Sequence, residues 1–202
     1  MRVVGKKEIR FLPVEDIEVR SSGDEGSTTS TIAGYVVKFN QRSQLIWGEF
    51  YEKVAKGAFA RSLAENVIKA FWNHRSDFVL GSTKNGTLRL WEDNTGLRFE
   101  CDLPNSTWGK DAFESISRGD VDGVSFGFSV RQDSFTYLKE EDVYERTLID
   151  IDLREISPTP FPAYPDSEVS QRSIDQLGIT TKEQRKLEKE KLLLEIDLIG
   201  LC

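Results

Sequence analysis

The chain has 202 residues, of which 38% are hydrophobic and 30% charged, with a formal net charge of −7 and a pI near 5.0. That is enough chain for one globular domain with trimmings, and the acidic balance, with no long Lys/Arg-rich stripe, argues against a general nucleic-acid binder. Cys101, Cys202 and a single histidine supply neither a disulfide framework nor metal-ligand spacing, so a reducing compartment, no metal and no cofactor are expected.

No apolar run nears the ~20 residues that span a bilayer, and Met1 to Lys7 lacks a signal-peptide core. The chain is therefore expected in the cytoplasm where it is made, without membrane or specific nucleic-acid partners. Three parts follow from composition: residues 1–30, N-terminal strands and a flexible loop; residues 31–168, the main β domain; and residues 169–202, a linker and charged helix.

In chain order, Ser21 to Ser30 is small, polar and glycine-bearing, a loop signature. Thr31 to Phe39 is rich in β-branched and aromatic residues and predicts a core strand. Phe59 and Leu63 have helical spacing in Lys56 to Glu65, which predicts a short helix. Val67 to His74 returns to strand character, with Ile68, Ala70, Trp72 and His74 on one face in a period of two. A hairpin is expected from Thr87–Trp91 and Gly96–Leu103 around Glu92-Asp93-Asn94-Thr95. Ser106 is placed to cap a helix running to about Arg118, with Trp108, Ala112, Phe113 and Ile116 as its buried stripe and Gly119 as its stop.

Two long strands follow, Gly123–Tyr137 and Tyr144–Ile156, joined by an acidic turn at Glu140-Glu141-Asp142. Many strands and few helices predict a mainly β, α+β fold, a closed or nearly closed barrel with attached helices. Pro158, Pro160, Pro162 and Pro165 are expected to end the sheet, because proline cannot donate to a ladder. Thr180-Thr181-Lys182-Glu183 reads as a capping box before a charged helix, where Leu187, Leu194 and Leu201 recur at seven.

Three residues invite chemistry. His74 is the only histidine, and imidazole alone has an unperturbed pKa near neutrality; the plainer reading is a structural histidine. Ser125 lies opposite the apolar parity of Val124, Phe126, Phe128 and Val130, between Gly123 and Gly127, which leave room for a backbone or substrate to approach. The plainer reading is a solvent-facing serine. Glu155 shares its parity with Ile149, Ile151 and Leu153, so a carboxylate stands where a core residue belongs and needs a partner; a bulge would instead turn it to solvent. Together they offer a nucleophile, a base and an orienting carboxylate.

Five segments in order carry a resemblance: Ile32-Ala33-Gly34-Tyr35-Val36-Val37, Glu49 to Phe59, Asn73-His74, Gly123-Val124-Ser125-Phe126-Gly127-Phe128, and Leu153-Arg154-Glu155-Ile156-Ser157 before Phe161-Pro162-Ala163-Tyr164-Pro165. Over about residues 30–170 the chain resembles the tailed-bacteriophage prohead maturation proteases, serine enzymes with a fold like that of herpesvirus assemblins. The resemblance implies His74 as general base, Ser125 as nucleophile and Glu155 as third member. Assemblins use a second histidine there, which this chain lacks, and Asp77 and Asp152 are the other carboxylates to consider. It also implies cleavage of scaffolding protein, or of the scaffold-like segment of the major capsid protein, and of the chain itself, inside the immature prohead in the host cytoplasm. Self-association is expected. Two rival readings are a non-catalytic capsid assembly or scaffolding protein oligomerising through its C-terminal helix, and a small-molecule esterase.

Overall fold

The computed structural model describes residues 7–12, 17–22, 29–46 and 48–160. The expected C-terminal helix and the segment from Phe161 to Pro165 lie outside them. The mainly β character is found: among the described residues ten strands accompany two short α-helices. The strands are β1 (Lys7–Leu12), β2 (Glu18–Ser22), β3 (Thr29–Lys38), β4 (Phe50–Val54), β5 (Lys69–Trp72), β6 (Arg75–Ser82), β7 (Leu88–Glu92), β8 (Gly96–Asp102), β9 (Gly123–Leu138) and β10 (Val143–Thr159), with α1 at Ala60–Glu65 and α2 at Thr107–Ser117.

They pair as two sheets. One runs β1-β9-β10-β5-β6, with β4 also on β10, and the other runs β2-β3-β8-β7. Neither order closes on itself among the described residues. The hairpin of β9 and β10 is the spine: β9 has β1 on its other side, and β10 carries β4 at Tyr144–Leu148 and β5 at Glu155–Ile156. Alternation sends Val124, Phe126 and Phe128 into the core, where the Phe126 and Phe128 rings stack at 5.0 Å and Phe59 meets Phe126 edge-on at 6.1 Å. Ile32, Val36, Leu97, Phe99 and Cys101 fill the same core from β3 and β8.

Local chemistry sets the ends of α2. The Ser106 hydroxyl accepts from the Gly109 N–H at 3.2 Å, and Gly119 takes the left-handed conformation just past the helix. No described helix is long and apolar enough to cross a membrane.

Several sequence expectations are corrected. Ser21, Ser22, Thr29 and Ser30 belong to strands β2 and β3, because the two strands pair from Glu18↔Ala33 to Ser22↔Thr29 and extend into the polar stretch. The sheet continues through Pro158, which sits in register with Val124 and whose carbonyl accepts from the Asn73 N–H at 3.1 Å. Proline lacks only the donor, so a position where the carbonyl is what the neighbour needs tolerates it. The alternation through His74 also fails, since β5 ends at Trp72.

Candidate active site

Trp72 pairs with Arg75, so Asn73 and His74 are the whole connection between β5 and β6. Both have positive φ, 49° and 59°, as a two-residue type I′ hairpin turn demands. The turn takes His74 off the apolar face where a period of two would put it, and aims its ring at β10. His74 Nδ1 lies 2.8 Å from Glu155 Oε1.

Glu155 arrives there through a different irregularity. Leu153 pairs with Phe128 and Glu155 with Gly127, so Arg154 is an extra residue in a β-bulge. The bulge separates the two residues that simple parity joined: Leu153 stays in the core, and Glu155 moves to the face of Ser125 and Gly127. It does not reach solvent, for Glu155 is 2% exposed. Gly127 makes this possible, because a Cβ there would overlap Glu155 Oε1 and come within 2.8 Å of Lys7 Cε.

The carboxylate is held on both oxygens. Ser157 Oγ donates to Glu155 Oε2 at 2.8 Å, and the same Oγ accepts from the His74 backbone N–H at 3.2 Å. Lys7 Nζ stands 3.5 Å from Oε1. Burial pushes the Glu155 carboxyl up, but the hydrogen bond and charge of His74, the Ser157 hydroxyl and the Lys7 charge together outweigh it, so its pKa lies below the ordinary value. An ionised carboxylate on Nδ1 fixes the imidazole in the tautomer that leaves Nε2 as an acceptor. Nε2 is buried and has no hydrogen-bond partner among the described residues.

Ser125 is opposite Ser157 in the β9–β10 ladder, two residues from Gly127 on the same face, and fully buried. Its hydroxyl is not bonded to His74; it donates to the Arg10 carbonyl of β1 at 2.9 Å. Of the other carboxylates considered, Asp77 is exposed and paired with Arg75, and Asp152 is held by Arg61, Arg131 and Asn66. Neither touches His74. Ser157, Lys7 and Arg10 were missed by sequence reasoning; Ser157, two residues beyond Glu155, could have been found from strand parity alone.

A family model described as caudovirus prohead serine protease matches residues 15–179. The prohead protease of Enterobacteria phage HK97 is 28% identical over an alignment of 178 residues that covers 86% of this chain and 72% of that protein. The solved structure of the bacteriophage T4 capsid assembly protease matches with a TM-score of 0.53 at 10% identity, over 77% of this chain and 99% of that one. At that identity the likeness concerns the fold.

Proposed function

The chain belongs to the caudovirus prohead serine protease family and is a serine protease, and we propose that Ser125, His74 and Glu155 are its nucleophile, general base and orienting carboxylate. The observation that carries this is the buried His74 Nε2, left without a partner while Nδ1 is fixed on Glu155. In catalysis Ser125 Oγ adds to the scissile carbonyl carbon as its proton passes to Nε2. His74 then returns that proton to the departing amide nitrogen, the C–N bond breaks, and water hydrolyses the acyl-enzyme by the same proton route in reverse. Glu155 stays ionised and stabilises the imidazolium.

The substrates are capsid scaffolding protein or the scaffold-like segment of the major capsid protein, cut inside the prohead. The names of the HK97 and T4 relatives support this reading. The chain is also its own substrate. β1 already runs antiparallel along the nucleophile's strand, with the Arg10 carbonyl on Ser125 Oγ, so an internal segment lies where an extended substrate would lie. The closed or nearly closed barrel expected from the sequence stays part of this proposal, with β9 and β10 as its spine.

The test is intact-mass spectrometry of the chain co-expressed with its cognate capsid and scaffolding proteins, beside Ser125→Ala. Discrete capsid or scaffold fragments only with the wild type are expected. Full-length partners in both, with shells assembled, would sink the capsid protease reading.

A further inference from the structure

Resting on the protease reading, we infer that the outer edge of β9 selects substrate strands with a basic residue immediately before the scissile bond and an acidic residue two places earlier. Arg10 supplies the carbonyl on Ser125 Oγ, so the bond in the nucleophile's position is Arg10–Phe11. Side chains alternate along a strand, so Arg10 and Glu8 both project to the opposite side of the sheet from Ser125, the side of Phe126 and Phe128.

That side is a charged socket. Arg10 Nε lies 2.7 Å from Glu52 Oε1, and its Nη2 is 3.3 Å from Oε2. Glu8 takes Arg146 Nη1 at 3.1 Å and Nη2 at 3.3 Å, and Arg10 Nη2 bonds Glu8 at 2.6 Å. Arg146 in turn reaches Glu52 at 3.0 Å and Asp133 at 2.8 Å. Arg146, Glu52 and Glu8 are each about 5% exposed or less at the side chain. The Arg10 guanidinium also sits 5.8 Å from the centre of the Phe128 ring.

The protein's own share of this socket is Arg146, Glu52 and Asp133, one cation against two carboxylates. β1 adds a cation that bonds both oxygens of Glu52 and an anion that accepts from Nη1 and Nη2 of Arg146. A strand replacing β1 in the same register meets the same demand. Swapped charges would set a carboxylate against Glu52 and a cation against Arg146, and apolar side chains would leave Glu52 short of a partner; both are costly when buried. Arginine is favoured over lysine at the first place, since one planar fork serves Glu52 and Glu8 together. β1 lies outside the matched family region, which begins at residue 15. Glu52, Asp133 and Arg146 fall within that region.

The test incubates the full-length chain with a denatured bacterial proteome and reads new termini by mass spectrometry, subtracting those made by Ser125→Ala. Cuts after Arg or Lys with Asp or Glu two residues earlier are expected to exceed charge-swapped sites by about a hundredfold. Glu52→Gln is expected to lower the ratio of basic to neutral residues before the cut by about tenfold. Ser125-dependent cuts without this charge pattern would overturn the inference and leave the protease reading standing. If the proteome is not cut, the fragments of the co-expressed capsid proteins supply the sites and are judged by the same rule. Absence of Ser125-dependent cuts in both would bring down the protease reading as well.

Discussion

Gly127 and Ser157 show how much of the proposed triad is made by residues that do no chemistry. An alanine methyl at position 127 would occupy the space of Glu155 Oε1 and press on Lys7 Cε. The carboxylate, buried and held by three neighbours, would have to leave His74. Gly127→Ala is therefore expected to lose about a hundredfold or more in kcat while keeping a cooperative unfolding transition, because proper geometry at such a site outweighs the small change in volume. Peptide hydrolysis and circular dichroism on the same preparation check it; full activity would show that Glu155 is not the orienting group. Ser157→Ala removes the hydroxyl that bridges Glu155 Oε2 and the His74 N–H. It is expected to lower kcat by about tenfold and to displace the acid limb of the pH–rate profile, since the His–Glu pair loses a fixed partner. An unchanged profile with lower protein stability alone would assign Ser157 a purely structural role.

At the scale of elements, the β5–β6 turn has the most to lose. Asn73 and His74 both occupy left-handed backbone, which a β-branched residue resists. Asn73→Val is expected to cost about 1–2 kcal/mol in a urea titration, with activity falling further than stability because the turn carries His74. Asn73→Gly keeps the backbone and forfeits only the bond from the Thr159 hydroxyl, 2.8 Å from Asn73 Oδ1, so it should retain more activity than Val. The same turn explains what was legible in the sequence. β3, α1, the β7–β8 hairpin, α2 and the long β9–β10 pair followed from periodicity and caps, because each is a run of regular residues. His74 and Glu155 stood out by residue type, yet parity placed both on the core face. A type I′ turn and a one-residue bulge put them together instead, and neither leaves a pattern that period-two counting can read. β1 is tied to distant residues by its ladder with β9 and by the ion pairs of Glu8 and Arg10, which only tertiary structure reveals.

For the whole molecule, the distribution of buried carboxylates sets the response to acid. Burial raises the Asp152 carboxyl, but hydrogen bonds from Arg131, Asn66 and Arg61 and the Arg61 charge bring it from its ordinary 3.8 down to about 2. Glu52, buried between Arg10 and Arg146, and Glu155 likewise lie below their ordinary 4.5. A group whose folded pKa is depressed stabilises the fold fully above its unfolded value, and that contribution disappears as pH falls through the folded value. Stability should thus hold above about pH 5 and decline steadily below about 4.5, with the Asp152 contribution lost between 3.8 and about 2. Urea midpoints measured from pH 7 to pH 2 check the sign. Asp152→Asn is expected to be less stable than the wild type at pH 7, because Arg131 loses its anion and Arg61 keeps only Asp150 and Glu65. Its midpoint should also fall less steeply below pH 4, so that the two curves converge in acid. Parallel curves across that range would mean that Asp152 titrates alike in the folded and unfolded chain, and that the acid response resides in the other buried carboxylates.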